Sequence, residues 1–183
     1  MAIEENRAIF WDLQGTLGGD ATGDIREFEF YPFAFKALKC ASEKGYINII
    51  LTNQSSIGKG KIKLKDYEEK IAELTTELIE NGIQIKEILC CPHTNYDQCN
   101  CKKPKTGLID LCVSKYSIDI SKSYVIGDMG KNEIIMAHNV GAKGILVLTG
   151  AGQGSLNEFR YTWKDYQAYY IAENVLEAVQ NIE

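Results

Sequence analysis

The chain has 183 residues, 45 % hydrophobic and 25 % charged, the balance of a globular domain with a core of its own. Twenty basic and 25 acidic residues give a net charge of −5, which argues against a general binder of nucleic acid or of an anionic membrane. A local basic pocket for one small phosphate stays open. No run approaches the roughly 20 apolar residues of a membrane helix, and MAIEENRAIF carries acids where a leader would be basic. The expectation is a cytoplasmic protein, one domain over residues 1–183, acting on something small.

In chain order, residues 8–12 (AIFWD) are the first predicted strand, followed by an irregular stretch over 17–31. Residues 33–44 read as a helix, with Pro32 near its first turn and Gly45 just past its end. Residues 46–52 (YINIILT) are the second strand. Leu64, Tyr67, Ile71, Leu74 and Leu78 then recur at spacings of three and four, one apolar stripe of a helix that Gly82 closes. A third strand over 85–90 (IKEILC) leads into a second irregular stretch, 91–106. Helices over 108–116, 132–140 and 174–182 alternate with strands over 123–127 (SYVIG) and 144–148 (GILVL), and residues 169–171 are a sixth, edge strand. Runs that are apolar from end to end suit strands buried on both faces. Strand alternating with helix predicts a three-layer α/β/α fold around a parallel sheet of five or six strands, with the first strand central and next to the fourth.

In such sheets, ligands bind outside the carboxyl ends of the strands. Four strands end in polar strings there: Asp12-Leu13-Gln14-Gly15-Thr16, Thr52-Asn53-Gln54-Ser55, Lys102-Lys103-Pro104 after a cysteine-rich loop, and Gly127-Asp128. Singly, each is as well explained by caps, turns or solvated charge; together they share one rim. Of the six cysteines, Cys40 and Cys112 read as buried free thiols. Cys91, His93, Cys99 and Cys101 supply three thiolates and an imidazole at a spacing that suits closed, tetrahedral zinc over residues 91–101. That ion would pin the loop and aim Lys102 and Lys103; Cys90 is left as the buried end of a strand. Gly150, Gly152 and Gly154 read as a flexible turn, His138 as a surface or packed histidine, and Trp163, Tyr166, Tyr169 and Tyr170 as packing on the sheet edge.

These strings resemble the haloacid dehalogenase (HAD) superfamily, over nearly the whole chain. DLQGT is similar to its first motif, D-x-D-x-T, except at the second Asp; Thr52 matches the second motif and Lys103 the third. Gly127-Asp128 matches the fourth, G-D-x-x-x-D, with Asn132 at its second Asp. LTNQSSIGKG and CPHTNYDQCNCKKPKTGL are similar to strings of the capless branch, subclass IIIA, which holds histidinol-phosphate and D-glycero-D-manno-heptose 1,7-bisphosphate phosphatases. The resemblance implies a Rossmann-like fold without a cap domain. It also implies a Mg2+-dependent phosphatase for a small phosphorylated metabolite, of sugar phosphate or histidinol-phosphate type. Asp12 would be the nucleophile, forming an aspartyl-phosphate. Asp12, Asp128 and the Gln14 backbone carbonyl would hold Mg2+, and Cys91, His93, Cys99 and Cys101 would hold Zn2+. Thr52 and Lys103 would grip the phosphoryl oxygens, Asn53 would add a donor, and Lys102 replaces the usual Arg with a point charge.

Gln14 departs from the pattern, because the family's second Asp shuttles the proton and an amide cannot do so near pH 7. Such a loss removes a factor of about 10²–10⁴. The sequence is then compatible with a slow phosphatase, or one whose leaving group needs little protonation. A non-catalytic phospholigand-binding relative and a phosphotransferase are the alternatives. Residues 27–30 (EFEF) are expected to form a small flap over the site.

Overall fold

The computed structural model describes residues 5–183. Six strands and seven helices follow one another as β1 (Arg7–Trp11), α1 (Ala34–Glu43), β2 (Tyr46–Asn53), α2 (Ser55–Gly58), α3 (Leu64–Glu80), β3 (Glu87–Cys91), α4 (Gly107–Tyr116), β4 (Tyr124–Gly127), α5 (Glu133–Val140), β5 (Lys143–Val147), α6 (Gly152–Leu156), β6 (Tyr170–Ala172) and α7 (Val175–Gln180). All strand pairs are parallel, in the order β3-β2-β1-β4-β5-β6. From β1 the chain winds outward to β3, then returns to β4 and winds the other way. The reversal opens a crevice at the carboxyl ends of β1 and β4, where α/β sheets bind ligands. Trp11 pairs with Ile50 on one side and Ile126 on the other, so Asp12 emerges from the sheet at that crevice.

Both faces of the sheet are covered, which is why the strand sequences are apolar without alternation. Ile9, Trp11, Ile50 and Ile126 pack with Leu38 of α1, Leu74 and Leu78 of α3 and Val179 of α7. On the other face Ala8, Phe10, Ile49, Leu51 and Val125 pack with Ile109 and Cys112 of α4 and Met136 of α5. Asn48 is a buried polar residue inside β2 whose bonds are all made. It accepts from Trp11 Nε1 (2.9 Å) and donates to the Leu38 carbonyl (3.1 Å) and Ser42 Oγ (2.9 Å), fixing α1 on the sheet.

Three expectations need correction. Residues 27–30 do not cover the site. Phe28 is 1 % exposed and packs edge-on against Phe30, while the Gly19 amide donates to the Glu29 carbonyl, so the apolar pair anchors the loop in the core. Gly152 and Gly154 lie in α6, not in a flexible turn, and Gly152 is glycine because a Cβ would come within 1.9 Å of the Val147 carbonyl oxygen. The edge strand is Tyr170–Ala172, one residue later than the periodicity indicates. Among the described residues no helix is long and apolar enough to cross a membrane.

Candidate active site

Four charged side chains meet in the crevice. Lys103, whose side chain is 2 % exposed, reaches Asp12 Oδ1 at 2.5 Å, Glu133 Oε1 at 2.8 Å and the Leu51 carbonyl at 2.9 Å, one acceptor for each ammonium proton. Thr16 Oγ1 donates to the other oxygen of Asp12 at 2.9 Å. Asp128 Oδ2 accepts from the Ala151 amide at 2.7 Å. Gly15 (φ +82°) and Gly150 (φ +54°) wrap Asp128 so closely that a Cβ on either would fall within 2.2 or 2.3 Å of Oδ2. Asp12, Asp128, Glu133 and Lys103 line one cavity of about 100 Å³, with Gln14 and Thr52 at its wall.

With every group ionised, three carboxylates against one ammonium would leave two negative charges in excess. Burial, then the charges of Asp12 and Glu133, push the Asp128 carboxyl up to about 8. Burial also lifts Glu133 above the usual carboxylate range, with Lys103 opposing and Asp12 adding to the lift. Burial favours the neutral amine of Lys103, yet the charges of Asp12 and Glu133 outweigh it and hold the lysine ionised. A small oxygen-lined cavity two charges short of neutrality fits one hard divalent cation, and its carboxylates suit Mg2+.

Glu133 escapes the sequence reading, which places the fourth motif's second acid at Asn132 and finds it missing. The carboxylate comes one residue later, on the first residue of α5, where its other oxygen accepts from the Met129 amide at 3.1 Å. The site lacks no charge there. An acid in a helix's first turn has an ordinary explanation in the helix dipole, so only the bare Gly127, whose Cβ would meet Glu133 Cγ at 2.2 Å, marks the position as special.

The remaining candidate residues divide between this cavity and a cleft outside it. Thr52 is buried, and its Oγ1 accepts from Gln54 Nε2 at 2.9 Å, which leaves its own proton free to donate. The same Gln54 nitrogen donates to Gln14 Oε1 at 2.8 Å, and Gln14 Nε2 donates to the carbonyls of Asp20 (3.3 Å) and Gly23 (3.0 Å). Gln54 is a second site residue that sequence reasoning passed over, since alone it resembles a capping residue. Asn53 has a further role: its amide accepts from the Lys103 backbone N–H (3.1 Å) and donates one proton to the Lys103 carbonyl (3.3 Å), clamping the lysine's backbone. Lys102 donates to Ser55 Oγ and to the His93 carbonyl, tying the cysteine loop to the start of α2. The cleft has a volume of about 730 Å³, and Lys59, Lys102, Lys103, Lys105 and Lys131 face it against the single acid Asp97.

Cys91, His93, Cys99 and Cys101 converge, their ligand atoms all within 4.8 Å of one another. A zinc tetrahedron with Zn–S near 2.3 Å and Zn–N near 2.0–2.1 Å has S–S edges of about 3.8 Å and N–S edges of about 3.5 Å. Cys91 Sγ lies 3.8 Å from Cys99 Sγ and 3.5 Å from His93 Nδ1, while Cys101 Sγ is 3.2 Å from each of Cys91 Sγ and His93 Nδ1. Burial pushes the Cys91 thiol up to about 12, a cost that a thiophilic cation offsets by taking the thiolate. The group fits zinc. Cys90 points away from it and is half-buried.

A family described as HAD-hyrolase-like matches residues 100–178. The chain is 38 % identical over 130 residues to a probable D-glycero-D-manno-heptose-1,7-bisphosphate 7-phosphatase of Thermoplasma volcanium, covering 70 % of this chain and 88 % of that protein. It is 28 % identical over 181 residues to the D-glycero-beta-D-manno-heptose-1,7-bisphosphate 7-phosphatase of Neisseria meningitidis, covering 92 % and 96 %. Its fold matches the D,D-heptose 1,7-bisphosphate phosphatase of B. bronchiseptica, solved with magnesium and phosphate, with a TM-score of 0.85 at 21 % identity over 95 % of this chain and 96 % of that one. By this similarity, and by the rim on which Asp12, Thr52, Lys103 and Asp128 meet, the chain belongs to the haloacid dehalogenase superfamily, among its phosphatases.

Proposed function

We propose that this chain, working as one unit, is a Mg2+-dependent phosphatase that removes a phosphoryl group from a small phosphorylated metabolite through Asp12. The observation that carries the reading is the buried group of Asp12, Asp128, Glu133 and Lys103 at the strand switch point, two charges short of neutrality beneath a lysine-lined cleft. Asp12 and Asp128, with the Gln14 carbonyl, would hold Mg2+, whose charge lets a carboxylate and a phosphate approach. Lys103 and Thr16 fix the two oxygens of Asp12 for attack on phosphorus, which forms an aspartyl-phosphate. Thr52, its hydroxyl turned outward by Gln54, donates to a phosphoryl oxygen. Cys91, His93, Cys99 and Cys101 would hold a structural Zn2+ that fixes the strand-to-helix loop carrying Lys102 and Lys103.

The cleft favours a substrate with a second anionic group, of the sugar bisphosphate kind for which the relatives are named, over one of histidinol-phosphate type. A cationic amine would enter a cleft lined by five lysines, of which Lys103 is already paired with Asp12 and Glu133, and by one carboxylate, Asp97, already bonded to the Thr94 amide and hydroxyl at 2.7 Å each. The test is phosphate release from a panel of phosphorylated metabolites with Mg2+, with heptose 1,7-bisphosphate and histidinol phosphate first. Activity on at least one donor, lost in Asp12→Asn, is the expected result; a panel inert in both proteins refutes it.

A further inference from the structure

The wiring of Gln14 says which phosphate esters the site can open, and the argument rests on the phosphatase reading above. Gln14 lines both the Asp12 cavity and the outer cleft. It therefore stands between the phosphorus that Asp12 attacks and the group that departs into the cleft. An amide exchanges no proton near neutral pH. Here it cannot even lend a hydrogen bond, because both its N–H protons go to the Asp20 and Gly23 carbonyls while its oxygen accepts from Gln54.

No neighbouring carboxyl takes its place: Asp128 accepts from the Ala151 amide and, as the second carboxylate that would hold Mg2+, would be kept ionised by the cation. Asp20 is exposed, with its carboxylate bonded to the Thr22 amide and hydroxyl, and Asp24 is paired with Arg26 at 2.5 Å. Asp97 is bonded to Thr94, and Glu133 is committed to Lys103 and the Met129 amide. Of the cleft's lysines, Lys102 and Lys105 donate to the cysteine loop, and Lys103 is saturated by its three acceptors.

We infer that the site takes its phosphoryl group fastest from an acidic oxygen, as in an acyl, enol or aryl phosphate, and opens the alkyl esters of a sugar bisphosphate at least ~10²-fold more slowly. In the first step an Asp12 oxygen forms the new O–P bond. The bond from phosphorus to the leaving oxygen breaks, and its electron pair stays on a carboxylate, enolate or phenolate that needs no proton. In the second, water adds to phosphorus, the Asp12 O–P bond breaks to restore the carboxylate, and both protons of the water leave with the phosphate as H2PO4−. That water has no base beside it, so the aspartyl-phosphate persists long enough to be trapped.

The experiment uses the full chain with Mg2+ and four donors: acetyl phosphate, p-nitrophenyl phosphate, phenyl phosphate and an alkyl sugar phosphate. Two readouts are taken, the initial burst of leaving group and the phosphate found on Asp12 by mass spectrometry after acid quench. The expected result is a burst with the first two donors and labelling at least ~10²-fold slower with the alkyl ester, the scale of a missing general acid. Gln14→Ala should keep this ranking. Gln14→Asp should raise the alkyl rate relative to the acetyl phosphate rate by ~10²–10⁴ in the first step, a ratio that a general loosening of the loop would not move. Wild type that opens the alkyl ester as fast as p-nitrophenyl phosphate overturns the inference without any variant. Loss of that alkyl activity in Lys59→Ala or Lys131→Ala would then name the acid. If no donor labels wild type, and it behaves as Asp12→Asn does, the phosphatase reading itself fails and this inference with it.

Discussion

Glu133 offers the sharpest check on how the site is held together. Alanine there removes the acceptor of one Lys103 proton and that of the Met129 amide, and empties the space against Gly127. Breaking one side of a buried pair costs about 3–5 kcal/mol. At about 2–4 °C per kcal/mol for a chain of this size, the melting temperature should fall by roughly 6–20 °C. Glutamine keeps the shape and an oxygen for Lys103, but its amino group faces the Met129 N–H, a clash worth about 1–3 kcal/mol. Like alanine, it also removes one of the formal excess negative charges, which works in the opposite direction in both variants and leaves the lost Lys103 acceptor as the difference between them. Glu133→Gln should therefore lose much less stability than Glu133→Ala in Mg2+-free buffer, and gain less on adding Mg2+. Unfolding is readily followed by fluorescence of Trp11 and Trp163, both buried. If Glu133→Ala unfolds within about 1 kcal/mol of wild type, the value of an exposed ion pair, the bridging role of Lys103 is refuted.

Gly15→Ala places a Cβ against Asp128 Oδ2 at a left-handed residue. The strain is about 1–2 kcal/mol, while a displaced Asp128 should cost ~10² in turnover; a variant with normal turnover refutes the metal role of Asp128. Elemental analysis of protein purified without added metal should find a single zinc per chain, and Cys99→Ser should lower it and open residues 94–100 to proteolysis. Stability without Mg2+ should fall as pH rises from the ordinary carboxylate range towards about 8. The sign follows from the raised pKa of Asp128 and Glu133: between their unfolded and folded values the native state binds more protons than the unfolded chain. Saturating Mg2+ should flatten that slope, and a rising curve in Mg2+-free buffer would contradict it.

The layers of the fold are legible because burial on both faces leaves a simple trace. Phe10 and Trp11 are adjacent and enter opposite cores, so the strand is apolar without a break. The cysteine loop is legible too, since ligand spacing in sequence limits the geometry directly. What cannot be read locally depends on partners distant in sequence. The loop after β1 closes through the bridge of Gly18 to Phe30 and through Gln14 holding Asp20 and Gly23, none of which has a periodic signature. The clamp of Asn53 on the backbone of Lys103, 50 residues away, has no local sign either. Glu133 hides because a helix start accounts for it equally well.

Charge is segregated on this molecule, and that bears on what can reach Asp12. The chain carries −5 overall, while the cleft sets Lys59, Lys102, Lys103, Lys105 and Lys131 against Asp97. Charges are screened beyond about 8–10 Å at physiological ionic strength. A small phosphorylated molecule inside the cleft therefore feels mainly the lysines, whereas a polyanion laid across the rim also meets the acidic remainder. On the phosphatase reading, the arrangement would select for small anions by size as well as by sign. Competitive inhibition by inorganic phosphate should accordingly weaken as salt is raised, and single-stranded nucleic acid should not compete at low salt. Competition by the polymer at the same phosphate concentration would show that the acidic surface does not act as a filter.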